Sequence, residues 1–129
     1  MVREVSGPPT NIVLHRPQIH DVTASRAING TEYQNLSGRP ILALLSVLCT
    51  QGNANEDAYF YAAASATTPV GAVADRISFT GYDSQVGKGP NSAFFCMTFP
   101  VPSNWYYEVG ILKDPAAAVT LQYWFEIWL

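Results

Sequence analysis

The amino-acid sequence predicts an all-β domain, an antiparallel β-sandwich of about seven or eight strands. Short apolar runs alternate with clusters of Gly, Pro, Asn and Asp along most of the 129 residues, which is typical of all-β proteins. No segment carries the apolar stripe of an amphipathic helix. This pattern does not fix the order of the strands, so jelly-roll and immunoglobulin-like topologies both remain open.

The first 25 residues are predicted to be an extended N-terminal arm or linker, and residues 26–129 the sandwich. Pro8, Pro9 and Pro17 lie in this segment. Proline removes a backbone donor and disfavours both a regular helix and a central strand.

The predicted strands differ in how they alternate. Residues 41–50 are apolar on both faces, as expected of a fully buried strand. In residues 76–82, Ile77, Phe79 and Gly81 fall on one side, and Arg76, Ser78 and Thr80 fall on the other. Each predicted strand is bounded by a polar or proline-containing turn; the strands span 31–34, 41–50, 58–65, 76–82, 93–99, 106–112 and 119–129.

The alanine run at residues 62–64 allows two interpretations, because alanine is the best helix former. Three aromatic residues precede the run, and Thr67, Thr68 and Pro69 follow it without helix caps. We therefore predict a strand that ends in a loop. Residues 114–118 are predicted to be a turn before the last strand.

The last eleven residues alternate with a period of two, which strongly favours a strand. One predicted face is apolar, and the other carries Trp124, Glu126 and Trp128. A tryptophan-rich face of this kind fits an oligomer interface or a sugar-binding groove, and equally a second layer of the core. The apolar face comprises Val119, Leu121, Tyr123, Phe125, Ile127 and Leu129.

Composition favours a homo-oligomer. Hydrophobic residues make up 48% of the chain and charged residues 13%, about half the usual charged share. Part of the surface is therefore expected to be covered by another copy, although a surface of neutral polar residues would also fit. The net charge of −3 and the scattered basic residues argue against nucleic-acid binding. We see no signal peptide or membrane-spanning segment.

No catalytic or metal-binding arrangement is recognisable. Cys49 and Cys96 lie in apolar runs and are predicted to be buried, reduced thiols, since the tryptophan and corner tyrosine of an immunoglobulin disulfide are missing. His15, His20 and Asp21 are expected to be solvated or to contact a neighbouring subunit rather than to hold a metal. We predict a protein that is not an enzyme and needs no cofactor. An esterase-like or carbohydrate-processing enzyme remains an alternative, because carboxylate pairs in space are invisible in one sequence.

Three passages resemble domains of tailed-bacteriophage fibres and other virion-associated proteins. They are RAINGTEYQN followed by Arg39-Pro40, FPVPSNWYYEV at 99–109, and LQYWFEIW at 121–128. Asn104 stands where these domains commonly have glycine, and asparagine tolerates the same left-handed backbone. The resemblance implies a small, usually trimeric β-sandwich at a fibre tip or particle surface. Its structural residues here would be Arg26, Thr31, Tyr33, Asn35, Pro40, Pro102, Tyr107, Trp124 and Glu126.

The resemblance implies a virion protein, made in the host cytoplasm, that attaches through loops to a host receptor, which is expected to be a saccharide. The loops 51–57, 67–74 and 83–91 are the candidates, and Tyr59 and Tyr82 could stack on a sugar ring, although each could instead pack on its own sheet. The alternative is a structural capsid or tail module without a receptor. Arg26 is predicted to pair with a carboxylate such as Glu126. The candidate receptor-binding residues are Asn53, Asn55, Glu56, Asp57, Tyr59, Tyr82, Asp83, Gln85 and Lys88.

Overall fold

The structure is a computed structural model that describes residues 16–52, 56–70, 73–82 and 91–129. Within these residues eight strands form two antiparallel sheets of four, with two short 3-10 turns at Thr23–Ser25 and Val73–Asp75. The predicted all-β sandwich is confirmed. The strands are β1 Gln18–Asp21, β2 Tyr33–Gln34, β3 Ile41–Thr50, β4 Ala58–Ser65, β5 Arg76–Tyr82, β6 Ser92–Val101, β7 Tyr106–Lys113 and β8 Ala118–Trp128.

The strand order is that of a jelly roll. The first sheet runs β1-β8-β3-β6 and the second β2-β7-β4-β5. Four strand pairs are antiparallel: β1–β8, β2–β7, β3–β6 and β4–β5. This is the pairing of one long antiparallel hairpin folded into two sheets. An immunoglobulin sandwich has a different strand order, so the topology left open by the sequence is settled in favour of the eight-stranded jelly roll.

The core lies between the two sheets and is built from alternate residues of each strand. In β3 the residues from Ile41 to Cys49 alternate between buried and half-buried, because each successive side chain points to the opposite side of the sheet. The largest fully buried side chains include aromatic residues from both sheets. These are Phe60, Phe99, Tyr107 and Trp124.

The alanine run lies in β4, as predicted. Ala62, Ala63 and Ala64 are buried and pair with β7, and Ala62 and Ala63 also pair with β5. Hydrogen bonds to strands on both sides outweigh the modest helix preference of alanine, which is a weak prior against tertiary context.

The predicted strict alternation of the last strand is wrong at one position. Ser46 pairs with Tyr123 while the next residue, Val47, pairs with Leu121, which leaves Gln122 as an extra residue in a β-bulge. The bulge changes which alternate residues of β8 face the core. Leu121 packs on the core before Gln122, and Trp124 and Trp128 pack on it after Gln122. Of the interpretations offered for the tryptophan face, the structure supports the second core layer.

The segment predicted as an arm contributes an edge strand. β1 is extended and pairs with β8 from Gln18–Trp128 to Asp21–Phe125. His20 stacks on Trp128 with ring centroids 3.9 Å apart. Residues 1–15, including His15, lie outside the described residues. The described part contains no helix long and apolar enough to cross a membrane.

The two cysteines lie on opposite sides of the first sheet. Cys49 is buried with a free thiol, and burial raises its pKa to about 11. Cys96 is free but exposed, so the prediction that both thiols are buried is wrong for Cys96. Successive side chains of a strand point to opposite faces. Met97 points into the core, so its neighbour Cys96, which pairs with Ser46, points outward.

Candidate functional site

A cleft opens on the outer face of the second sheet, where β4 and β5 pair. Its volume is about 380 Å³, and it is lined by Tyr59, Phe79, Thr80 and Gly81. We call it the aromatic cleft. This volume falls within the roughly 300–1,000 Å³ of small-molecule sites.

Gly81 brings the two strands close together at the cleft. It pairs with Tyr59, has a φ of +134°, and a Cβ built on it would lie 2.5 Å from the Cα of Tyr59 and from the carbonyl oxygen of Ala58. Both the backbone conformation and the contact require glycine. The cleft floor is therefore backbone, which leaves space above it.

Aromatic rings form the wall of the cleft. The ring centroid of Phe79 lies 6.1 Å from that of Tyr59 and 6.2 Å from that of Tyr61. Phe79 is 53% exposed. On β5 the half-buried Ser78 and Thr80 alternate with the exposed Ile77 and Phe79. This edge strand therefore turns its apolar residues toward solvent, the reverse of an ordinary amphipathic strand.

Polar groups stand beside the aromatic wall. The Arg76 guanidinium lies 4.2 Å from the centroid of the Tyr61 ring, within the range of a cation–π contact. The Tyr61 hydroxyl lies 3.5 Å from Glu108 Oε2 and donates to it. Burial raises the pKa of Glu108, an effect that the Tyr61 hydrogen bond partly offsets.

Gly110 makes room for this arrangement. A Cβ at Gly110 would lie 2.3 Å from the Tyr61 hydroxyl oxygen, so the absence of a side chain lets Tyr61 lie across β7. The Nε of Arg76 is buried without a hydrogen-bond partner in the described part of the chain. Beside its exposed rings, the second sheet thus carries the Arg76 guanidinium, the Tyr61 hydroxyl and the buried Glu108 carboxylate.

This combination suits a neutral polyhydroxylated ligand. The flat, apolar face of a pyranose can stack on Phe79 and Tyr59, while ring hydroxyls can bond to polar groups at the edge. Across the residues the structure describes, no group of three or more His, Cys, Asp or Glu side chains could hold a metal ion.

The structure places Tyr59, but not Tyr82, in the cleft. Tyr82 lies on the inner side of β5, where its ring packs edge-on against Phe95 with centroids 5.1 Å apart. Tyr82 therefore packs across the core on β6 of the other sheet, rather than on its own sheet as the alternative had it.

Of the remaining candidates, Glu56 and Asp57 lie in a segment anchored by its backbone. The amide of Asp57 donates to Asp114 Oδ2 at 2.7 Å, and the side chain of Gln51 donates to the carbonyl of Glu56 at 2.8 Å. The other five lie outside the described residues; they are Asn53, Asn55, Asp83, Gln85 and Lys88.

Sequence reasoning missed Phe79, Tyr61 and Arg76 as possible site residues. The signal was present in two paired strands, since Tyr59-x-Tyr61 and Phe79-x-Gly81 both place alternate residues on one face. What the alternation could not show is that this face is the outer one.

Four of the structural residues implied by the resemblance meet between the two sheets: Arg26, Tyr33, Tyr107 and Glu126. The Nε of Arg26 lies 3.3 Å from Glu126 Oε2, and its second terminal nitrogen donates to Glu126 Oε1 at 3.3 Å. The predicted Arg26–Glu126 pair is confirmed. Glu126 is only 2% exposed, so without this partner its charge would be buried and uncompensated.

Tyr107 completes this buried network. Its hydroxyl donates to Glu126 Oε2 at 2.6 Å and accepts from Arg26 at 3.2 Å. Burial, together with the hydrogen bond to Glu126, raises the pKa of Tyr107. A cavity of about 240 Å³ adjoins the network, but its charged groups already satisfy one another.

Tyr33 joins the network to the backbone, and Asn35 links two backbone segments nearby. The Arg26 guanidinium lies 4.5 Å from the centroid of the Tyr33 ring, whose hydroxyl accepts from the Ala27 amide at 2.8 Å. The Asn35 amide donates to Arg39 O at 2.7 Å and to Val101 O at 3.1 Å. Asn35 thereby ties the chain before β3 to the end of β6.

The remaining structural residues also have identifiable contacts. Thr31 bonds through its amide and hydroxyl to the side chain of Asn29. The carbonyls of Pro40 and Pro102 accept from the amides of Leu129 and Trp105, at 2.9 and 3.1 Å. Asn104 has a φ of +68°, so it does adopt the left-handed backbone for which glycine is common. Trp124 packs edge-on against Tyr33, with centroids 6.0 Å apart.

Comparison of the chain with protein-family models, with curated proteins and with solved structures found no match.

Proposed function

We propose that this chain is a bacteriophage virion module of the tail-fibre type, a binding protein rather than an enzyme, that attaches as a homotrimer to a saccharide on the host cell surface. The observation that supports attachment most directly is the aromatic cleft. Phe79 is exposed there beside Tyr59 over a glycine floor.

The cost of exposing Phe79 supports a binding role. β5 could cover its apolar residues by pointing them inward, yet it points Ser78 and Thr80 toward the core. Exposed apolar groups arranged around a concavity, with polar groups at the edge, are typical of ligand sites. The net charge of −3 favours a neutral or weakly charged ligand over a nucleic acid.

The virion assignment is supported by the residues of the resemblance. Arg26, Tyr33, Tyr107 and Glu126, which come from separate passages of the sequence, form one contiguous network. These passages therefore act together as a scaffold, as such a family resemblance requires, and leave the outer face of the second sheet for recognition.

Binding to an array of bacterial surface polysaccharides tests the proposal. The intact chain is expected to bind at least one saccharide, and Phe79→Ala to bind it about tenfold more weakly or worse, since loss of a central aromatic contact costs about 1.4 kcal/mol or more. Leu36→Ala is the matched control because Leu36 is an exposed apolar residue near β2, at the other edge of the sheet. Binding to no saccharide would overturn the proposal.

A purely structural role in the particle is the second candidate, and the exposed Ile19, Phe94 and Tyr123 favour it. These residues lie on the first sheet, away from the aromatic cleft. A structural module would show no saccharide binding on the array, and Phe79→Ala would then leave all measured interactions unchanged.

A further inference from the structure

The outer face of the first sheet is apolar across all four strands. Three of its large side chains are strongly exposed: Ile19 at 71%, Phe94 at 66% and Tyr123 at 57%. Half-buried apolar residues fill the space between them. We call this surface the first-sheet face; its larger apolar residues are Ile19, Leu42, Leu44, Leu48, Phe94, Tyr123, Phe125 and Ile127.

Cross-strand pairing makes these residues one continuous patch. Leu48 pairs with Phe94, Leu44 with Phe125 and Leu42 with Ile127, and Ile127 pairs in turn with Ile19. Directly paired residues project on the same side of a sheet with Cβ atoms about 5 Å apart. Apolar residues therefore occur from β6 at one edge to β1 at the other, with the short polar residues Ser46, Thr98 and Thr120 among them.

Charge is almost absent from this surface. Among the described outward residues of its strands, Asp21 is the charged one; it lies on the edge strand, where its carboxylate accepts from Thr23. A solvated sheet face normally alternates charged or polar residues with the apolar core positions. Depletion of charge at the centre is typical of protein interfaces.

The size of the first-sheet face fits one protein partner. Three strands about 4.8 Å apart pair over ten residues and the four-residue β1 lies at one edge, which gives a face of about 500 Å² in projection. A specific interface removes about 800 Å² from each partner. A single extended peptide is about one strand wide and would cover only about a quarter of the face.

We infer that the first-sheet face is the surface through which copies of this chain associate. Phe94 and Tyr123 project from it, while Ser46 and Cys96, paired with each other at its centre, are short. The face thus offers both projections and a depression to the neighbouring copies in the ring of three that the proposed function requires. Association through this sheet leaves the aromatic cleft, which lies on the other sheet, open to solvent.

Phe94→Lys tests the inference, with Phe79→Lys as its matched control. Both positions are exposed phenylalanines, so neither change disturbs the core, and they lie on opposite faces of the sandwich. In sedimentation equilibrium at micromolar concentration, the unmodified chain and Phe79→Lys are expected to show a multiple of 14.1 kDa. Phe94→Lys is expected to weaken association by about 30-fold or more.

Cys96 supplies a second readout on the same face, to be interpreted together with the measured mass. In the assembled protein a thiol reagent such as 5,5′-dithiobis(2-nitrobenzoate) is expected to react slowly with Cys96, and in Phe94→Lys about tenfold faster or more, in line with the loss of the interface. Cys49 is buried and stays unreactive in both folded proteins. A monomeric unmodified chain, or a Phe94→Lys variant whose mass and thiol reactivity match those of the unmodified chain, would overturn the inference. Neither result depends on whether the cleft binds a saccharide.

Discussion

Arg26 shows how a single polar residue holds the two sheets together. It comes from the segment between β1 and β2, and its partners Glu126 and Tyr107 come from β8 in the first sheet and β7 in the second. The three side chains are hydrogen-bonded to one another. The charges of Arg26 and Glu126 are therefore tolerated although Glu126 is almost fully buried.

Replacing Arg26 with alanine is expected to lower the free energy of unfolding by about 3 kcal/mol, because it leaves the Glu126 carboxylate buried without its cation. Urea denaturation followed by circular dichroism measures the change. Lys113→Ala serves as the control, since Lys113 is an exposed cation at the end of β7. A loss for Arg26→Ala no larger than that of the control would contradict the role assigned to the network.

Tyr107 gives the network a pH dependence at the alkaline end. Its pKa in the folded state is raised above the ordinary value of 10.0, so above about pH 10 the unfolded chain releases the proton before the folded one does. The stabilisation is therefore complete below about pH 10 and falls as the pH rises toward the folded pKa, by up to about 1.4 kcal/mol per pH unit.

Tyr107→Phe is expected to remove the contribution of Tyr107 to the fall of the unfolding free energy above about pH 10, whatever its effect on stability at neutral pH. Urea midpoints from pH 8 to 11, converted to free energies, measure the slope, and Tyr59→Phe provides the comparison on the outer face. Parallel curves for the unmodified chain and Tyr107→Phe would show that Tyr107 is not the titrating group.

The bulge at Gln122 is the decisive feature at the scale of the strand. Because the extra residue has no partner in β3, Leu121 and Trp124 can both face the core although they are three positions apart. In a regular strand only residues an even number of positions apart share a face.

Deleting Gln122 is expected to leave a folded protein, because the pairs Ser46–Tyr123 and Val47–Leu121 then follow each other without interruption. Deleting Thr120 instead gives a strand of the same length, but a regular ladder would place Gln122 opposite Val47, where Leu121 packs. We expect the Thr120 deletion to be less stable by about 2–3 kcal/mol, from lost apolar burial and an inserted amide. Equal thermal midpoints for the two deletions would contradict the register.

Sequence patterns predicted most elements but not how they meet. β3, β4 and β5 have the predicted bounds because each is a dense apolar or alternating run between polar turns. β1 was missed since QIHD is short and polar, and its hydrogen bonds come from the free edge of β8. The bulge at Gln122 depends on pairing with β3, which the local sequence does not record.

The same limit explains how much of the site could be predicted. Tyr59 was identified because it is an aromatic residue beside a polar loop, whereas Phe79 lies within a strand whose inner and outer faces look interchangeable in sequence. Phe79 is exposed because its neighbours Ser78 and Thr80 point inward, and only the packed sandwich shows that direction. The Arg26–Glu126 pair was predictable because the resemblance had already marked both residues as structural.

At the scale of the whole molecule, the jelly roll presents two outer faces with different properties. The first-sheet face is broad, apolar and nearly uncharged, which suits association between copies. The face of the second sheet carries the aromatic cleft, with polar groups beside its rings, which suits a small ligand. Several copies joined through the first sheet would each present a cleft, and several weak sites acting together can hold a surface far more tightly than one.

The dissociation constant of the best saccharide from the array, measured per site by isothermal titration calorimetry, tests the central claim most directly. We predict that Phe79→Ala raises it about tenfold or more, because the ring that stacks on the saccharide is removed. Phe94→Lys should leave it within about twofold, since that residue lies on the opposite sheet and distant sites act independently. A folded Phe79→Ala protein that binds the saccharide as tightly as the unmodified chain would contradict the assignment of the cleft.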